Sequence, residues 1–406
     1  MNFERVVVTG VGCINALGHH QHDFWTALSK GQSGIAPIEQ IDCSDMRFKS
    51  GAEVKQYTGE DYFDSKELNW LDRFAQFALI AAREAVAHSE LDKSELANAE
   101  TAVITGSCLG GKHTEDQGYY RLYHQNNKRS NPNTIPNSMA NAGASHIATT
   151  YGIQGPAYTI STACSSSTHA IGHAFWLIRQ GIVKRAITGG SEAPFSMGHL
   201  RAWESLRVVS PDTCSPFSKN RKGMILGEGG AMLVLESLSS AKRRDAPIYA
   251  EMVGFGMSAD ATHLTDPASK GQTIAIEACL RDANITPEAI HYINAHGTGT
   301  IVNDKIEAQT IHNVFSNREK QLRVSSTKSA HGHLLGATGA LETIATVLAI
   351  KHQRIPPTIN FVEQDPECAL PLVIKHALDF EVDYALCSSF AFGGLNAILA
   401  LRRFVS

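Results

Sequence analysis

The 406 residues predict an α/β protein made of two similar halves. Three features carry that expectation. β-Branched runs ending near glycine recur along the whole chain, apolar helical segments separate many of them, and the runs fall into two series, before and after about residue 250. In the first series, residues 5–12, 101–106, 157–161, 186–190 and 232–236 read as strands, several entering tight turns. In the second, residues 248–256, 292–294, 322–326, 384–389 and 397–401 do the same. Residues 71–88 place Leu71, Phe74, Ala75, Ala78, Ala82, Ala85 and Val86 close to the 3.6-residue period of an amphipathic helix. Residues 340–351 read as a further helix, and 169–179 as an almost wholly apolar, hence buried, one. Strands alternating with helices give parallel or mixed sheets covered by helices. The duplication divides the chain into 1–250 and 251–406. Glycine, 33 residues in all, gathers at strand ends, where close backbone approach or positive φ is required.

Composition excludes several classes. With 43% hydrophobic and 19% charged residues the chain buries a large core. A net charge of −4 and the lack of a Lys/Arg run argue against nucleic acid as a partner. The first twelve residues already read as strand and turn, with no basic segment or cleavage site of a secretory signal. No window approaches the roughly 18 apolar residues of a membrane span. The expected location is therefore the cytoplasm. The eight cysteines are scattered without a CxxC pair, which argues for free thiols rather than disulfides or a structural zinc site.

Four segments carry candidate chemistry. Cys164, in TACSSS, falls between a strand and the apolar helix, among small residues that allow a sharp turn and access. A thiol there feels the positive end of the helix dipole, which favours thiolate, and nearby backbone N–H groups could hold an oxyanion. The bland alternative is a small core cysteine. His296, in NAHGTGT, follows a strand, and an imidazole is the natural donor or base near neutral pH. Lys328, His331 and His333 follow another strand in STKSAHGHLLGATGALE; a buried Lys328 needs a partner, and Glu342 is a candidate. Each histidine alone reads more simply as a structural hydrogen-bonding residue. A metal cluster of His296, His331 and His333 lacks the carboxylate or cysteine frame that would complete it. Phe392, in SSFAFGGLNA, precedes paired glycines that imply a tight or flexible turn with free N–H groups, or an ordinary Gly-Gly turn.

Together and in this order, TACSSS, NAHGTGT, STKSAHGHLLGATGALE and SSFAFGGLNA resemble the active-site blocks of the β-ketoacyl-carrier-protein synthases I and II. The likeness runs from VVVTGVG at residues 6–12 through RKGMILGEGGAMLVLE and IYAEMVGFGMSAD to the end of the chain. The resemblance implies a thiolase-like fold, with two α/β halves of five strands each in a five-layer αβαβα sandwich, working as a dimer. It implies Cys164 as the acyl-accepting nucleophile, and His296 and His333 as the pair that binds and decarboxylates the malonyl group. It implies Lys328 as the residue setting the electrostatics around His333, with Glu342 as its buried carboxylate. Phe392 resembles a gate whose N–H pairs with that of Cys164 as the oxyanion hole. Leu109 resembles a limit of the acyl pocket, with Thr134 and Ile135 at its dimer side. Lys128, Arg129 and Arg207 match basic positions that meet an acidic carrier protein. No metal or organic cofactor is implied; the acyl and malonyl groups arrive on the phosphopantetheine of the acyl carrier protein.

Some positions depart from that pattern. Ala330 and His331 replace Met and Thr, Ala391 stands for a glycine and Leu395 for a threonine. Asn133, Thr134 and Ile135 stand where aromatic residues are common, and Asn69 and Trp70 where basic ones are. These changes keep open a specialised polyene or polyketide ketosynthase paired with a related chain-length-factor-like subunit, as against a homodimer in fatty-acid elongation. A non-catalytic chain-length factor is disfavoured because Cys164 and both histidines are present. A thiolase would need a second cysteine as base, and a synthase of type III would carry asparagine for one histidine.

Overall fold

The computed structural model describes residues 3–316 and 321–405; residues 1, 2, 317–320 and 406 lie outside the described residues. Ten strands form one sheet: β1 (Val6–Asn15), β2 (Thr101–Gly106), β3 (Ala157–Ile160), β4 (Arg185–Glu192), β5 (Gly229–Ser237), β6 (Ala250–Ala259), β7 (Tyr292–Asn294), β8 (Arg323–Ser325), β9 (Tyr384–Ala391) and β10 (Leu395–Arg402). Their order is β8-β7-β9-β10-β6-β1-β5-β4-β2-β3. The first five strands run β3-β2-β4-β5-β1, and the last five repeat that order as β8-β7-β9-β10-β6. Pairing senses repeat as well. β2 is parallel to β3 and β4, and β7 to β8 and β9, while β5 and β10 are antiparallel to both neighbours. The two five-strand runs join where Val6–Val8 pairs antiparallel with Ala250–Met252. The expected pair of sheets is thus hydrogen-bonded edge to edge, because the first strand of each run ends its own order and leaves an edge to share.

Six helices repeat in the same way: α1 (Arg73–Ser89), α2 (Ala142–Tyr151), α3 (Ser166–Arg179), α4 (Ser269–Ala283), α5 (Ile301–Val314) and α6 (Thr338–His352). Side chains alternate across each strand, so each run has two apolar faces. On β5, Met232 and Val234 pack under α1 and α2, while Ala231, Leu233 and Leu235 face α3 and α6. On the second run, Ile293, Val324 and Ile398 pack under α4 and α5, while Tyr292 and Ala397 face the central pair. Five layers result, with α3 and α6 buried between sheet faces. α6 is buried from Thr338 to Ile350 and α3 over most of its length, so apolar residues fall on every side of both helices.

The glycines of β1 and β2 do not mark turns. Gly10 and Gly12 lie within β1, where an added Cβ would stand 2.0 Å from the Ala85 carbonyl oxygen and 2.3 Å from that of Ala81. Gly106, at the end of β2, would bring its Cβ to 2.2 Å from the Ser167 nitrogen. These glycines let α1 and α3 lie directly on the sheet, and close approach rather than turning explains them.

Candidate active site

Cys164 sits between β3 and α3. Ala163 takes φ +49, a left-handed conformation costly for a residue with a Cβ. Hydroxyls of the serine run hold that turn: Ser166 Oγ accepts from the Thr162 N–H at 2.9 Å and donates to the Ala163 carbonyl at 2.6 Å. Ser165 Oγ donates to the carbonyls of Thr162 at 2.8 Å and Leu395 at 2.9 Å, tying the turn to the start of β10. Cys164 is left 8% exposed, at the floor of a cavity of about 310 Å³.

His296 and His333 line the same cavity, with Phe392, Trp203 and Arg207. The two imidazole centroids lie 5.5 Å apart at 86°. His296 follows β7, where Glu307 on α5 accepts the N–H groups of His296 and Gly297, each at 2.7 Å. His333 Nδ1 lies 2.7 Å from Thr338 Oγ1 at the start of α6. His296 Nδ1 and His333 Nε2 are buried and have no hydrogen-bond partner. Burial, reinforced by the Lys328 ammonium, holds both rings well below the ordinary histidine range, so both are neutral at pH 7.

Lys328 is fully buried, and its Nζ donates to Glu342 Oε1 at 2.6 Å. Burial pushes the Glu342 carboxyl up to about 7, against the opposing pull of Lys328. His331 stands apart from this group. Its Nδ1 lies 2.8 Å from the Gly332 carbonyl and its Nε2 2.9 Å from Thr327 Oγ1, and its ring packs near Phe24. A carbonyl only accepts, so Nδ1 carries the proton and Nε2 accepts from the threonine hydroxyl. Both nitrogens are spent, and His331 is a structural histidine rather than a third imidazole in the cavity. Among the described residues no group of three His, Cys, Asp or Glu side chains is arranged to hold a metal ion.

One expectation fails at Cys164. Burial pushes its thiol up to about 11, although Lys328 and the N–H groups of Phe392 and Cys164 pull it down. A helix N-terminus contributes about 1 kcal/mol at most in ordinary settings, less than one pKa unit, and does not reverse this. The resting group is the thiol. The two N–H groups aimed at the sulfur are those expected for an oxyanion site. The Phe392 N–H is free for this because Gly393 and Gly394, at φ +84 and +66, make the turn and spend their own N–H groups on Leu264 and Ala391.

The remaining predicted residues are scattered. Leu109 borders an apolar cluster that includes Trp203, Leu335 and Phe392. Thr134 lines a separate polar cleft with Arg129, and Ile135 is 70% exposed, so neither lines the Cys164 cavity within this chain. Arg207 stands at the cavity mouth with Lys222, while Lys128 is on the surface away from it. Sequence reasoning missed Glu307, Thr338 and Trp203. Glu307 had a signal, since it and Asp304 lie three apart at the start of the helix that follows NAHGTGT, a spacing that puts both on one face.

A sandwich of repeated halves with a thiol, two imidazoles and a buried amine at its centre defines a condensing enzyme of the acyltransferase class. The N-terminal domain model of the β-ketoacyl synthases matches residues 3–241 and the C-terminal domain model residues 249–362, and the chain belongs to that family. It is 39% identical over 408 residues to 3-oxoacyl-[acyl-carrier-protein] synthase 2 of Staphylococcus aureus (strain COL), covering 99% of each chain. It is 40% identical to nodulation protein E of Rhizobium sp. (strain N33), covering 98% of this chain and 99% of the relative. Among solved structures it resembles the ishigamide ketosynthase/chain length factor, with TM-score 0.95 and 34% identity over 99% of this chain and 100% of the other. It also resembles a type II PKS acyl-carrier protein in complex with its ketosynthase bound to the hexaketide, with TM-score 0.90, 28% identity and the same coverage.

Proposed function

We propose that this chain is a β-ketoacyl-[acyl-carrier-protein] synthase that joins an acyl group held on Cys164 to the two-carbon unit left when malonyl carrier protein loses carbon dioxide. The observation that carries the reading is the convergence of Cys164, His296, His333 and Phe392 on one cavity, with unpartnered nitrogens on both rings. In the first half-reaction the Cys164 sulfur attacks the carrier-protein thioester and gives up its proton, which the departing phosphopantetheine thiol takes. The N–H groups of Cys164 and Phe392 stabilise the tetrahedral oxyanion. In the second, malonyl carrier protein binds, its C–C bond breaks to release carbon dioxide, and the neutral imidazoles of His296 and His333 donate to the enolate oxygen. The carbanion then attacks the acyl-cysteine carbonyl, the thioester bond to Cys164 breaks, and the departing sulfur takes a proton from water to restore the thiol. A neutral pair suits this step, because a cationic ring would hold the carboxylate of the malonyl group rather than release it. Burial keeps the rings neutral, and Lys328, paired to Glu342, adds to it.

The half holding the nucleophile, residues 1–250, and the half holding the histidines, residues 251–406, meet at this cavity. Arg207 at its mouth supports a role in docking the acidic carrier, with Lys128 and Arg129 farther off on the same partner. The edge strand β3 and the exposed Tyr119, Tyr123, Ile135 and Met139 support a dimer, and Thr134 and Ile135 would meet the acyl pocket of the other subunit there. The cytoplasm is the proposed location; no helix among the described residues is long and apolar enough to cross a membrane. The likeness to a ketosynthase/chain length factor favours, as a second reading, a specialised polyketide or polyene synthase with a related subunit as partner. Intact-protein and peptide mass spectrometry after incubation with acyl carrier proteins tests the proposal. An acyl adduct on Cys164, absent from Cys164→Ala, is expected; an adduct elsewhere, or full condensation by Cys164→Ala, would refute it.

A further inference from the structure

The cavity over Cys164 has two unlike sides. Exposed Arg207, Lys222, Ile301 and Val302 stand toward its mouth, while Trp203 and Phe392 form a more deeply covered wall. Behind that wall lies an apolar cluster in which Phe195 and Leu200 are fully buried and Leu335 is nearly so. An acyl chain on the Cys164 sulfur that passes this wall can bury its methylenes in that cluster, whereas the apolar residues toward the mouth, such as Ile301 and Val302, are open to water. The way is shut where Trp203 lies on Phe392, with ring centroids 6.3 Å apart and planes 25° from parallel.

Trp203 is also fastened. Its indole N–H donates to His199 Nε2 at 2.7 Å, one turn earlier on the helix Met197–Leu206. The two rings meet edge to face at 5.9 Å. Asp116 in turn accepts the Met197 and Gly198 N–H groups, at 3.0 and 3.3 Å, and holds the first turn of that helix. Phe392 has the opposite character. It sits before two glycines of positive φ on a hairpin turn, where backbone rotation is cheap. Of the two rings, one is built to move and the other to stay.

We infer that Trp203, latched to His199, is the residue that fixes how long an acyl chain this enzyme accepts on Cys164. Swinging Phe392 aside exposes the cluster only as far as the indole. Short acyl groups fit in front of Trp203, and longer ones require the His199 hydrogen bond to break. The inference rests on the proposed acylation of Cys164 and adds to it a specificity residue outside the catalytic group.

The test is acyl-enzyme formation by intact mass spectrometry, with carrier proteins bearing saturated C4, C8, C12 and C16 chains. The full-length protein is compared with Trp203→Ala, Trp203→Phe and His199→Phe. Wild type is expected to favour C4 over C12. Trp203→Ala is expected to raise the C12-to-C4 ratio of acylation rates at least 10-fold. His199→Phe and Trp203→Phe, which keep an aromatic wall but lose the latch, are expected to raise it about 3-fold. A merely structural role for Trp203 would slow acylation by C4 and C12 chains alike and leave their ratio unmoved. An unchanged ratio in the folded alanine variant would overturn the inference, and if that variant does not fold, an unchanged ratio in both latch variants would do so. Failure of the wild type to form any adduct on Cys164 would instead refute the proposed function.

Discussion

Replacing Lys328 with methionine isolates the buried ion pair and gives a pH signature that simple loss of packing does not. Lys328 and Glu342 are both fully buried and 2.6 Å apart, and Glu342 Oε2 has no other partner. Breaking a buried pair by removing one member costs about 3–5 kcal/mol while the remaining charge stays ionised. Glu342 has a way out, because burial already raises its carboxyl to about 7 and loss of Lys328 raises it further. The sign follows from linkage. A carboxyl whose folded pKa exceeds its unfolded value loses stability as pH rises from the unfolded pKa to the folded one. In the wild type that loss ends near pH 7. In Lys328→Met it continues above, at up to about 1.4 kcal/mol per pH unit. The stability gap between the two proteins is therefore roughly constant below pH 7 and widens by up to about 2.8 kcal/mol between pH 7 and 9. For a single cooperative unit of this size, about 1 kcal/mol corresponds to roughly 1 °C in Tm. Scanning fluorimetry from pH 6 to 9 should thus show the Tm gap growing by about 3 °C above pH 7. A gap that is flat across the range, or that shrinks on the alkaline side, would refute the reasoning.

Three further expectations concern single groups. Alkylation of Cys164 by iodoacetamide, followed by mass spectrometry, should keep accelerating close to tenfold per pH unit past pH 9, since the thiol lies near 11; a plateau near pH 7 would mean a resting thiolate. Glu307→Ala leaves the His296 and Gly297 N–H groups unsatisfied, at roughly 1–3 kcal/mol each, so malonyl decarboxylation should fall far more than acylation of Cys164; equal losses in the two assays would contradict a positioning role. His331→Ala should lower stability by about 1–3 kcal/mol through the stranded Gly332 carbonyl and Thr327 hydroxyl, yet leave the pH profile of condensation unchanged; a shifted profile would return His331 to the chemistry.

All ten strands of the central sheet were legible in the sequence, most as apolar runs buried on both faces and β3 as a short, more exposed run at the sheet edge. Their ends were less so: β1 runs on to Asn15 past Gly10 and Gly12, glycines that serve a helix crossing rather than a turn. α2, α4 and α5 went unassigned, since each covers the sheet with one narrow buried face and leaves the rest more open. Lys328 stood out because its place between a strand and an apolar helix needs a partner, while Cys164, His296 and His333 stood out only through the four ordered segments that resemble a known family. The structure brings Cys164, His296 and His333 to one cavity with Lys328 buried beside them. The height of the Cys164 pKa was not legible, because it depends on how deeply the turn is covered by loops more than 200 residues away in the chain. His331 looked like a functional departure for a similar reason: its partners Thr327 and Gly332 are local, but only folding turns the ring toward Phe24 and away from the cavity. Thr134 and Ile135 belong to a surface that a single chain leaves open.

The separation of carbon–carbon cleavage from thiol chemistry is tested most directly by release of labelled carbon dioxide from malonyl carrier protein, measured side by side for Cys164→Gln and His333→Ala. The glutamine variant, with both imidazoles in place, should release carbon dioxide without forming condensation product, while the alanine variant should release almost none. Carbon dioxide release from His333→Ala at the wild-type rate would contradict the assignment of the buried imidazoles to the enolate.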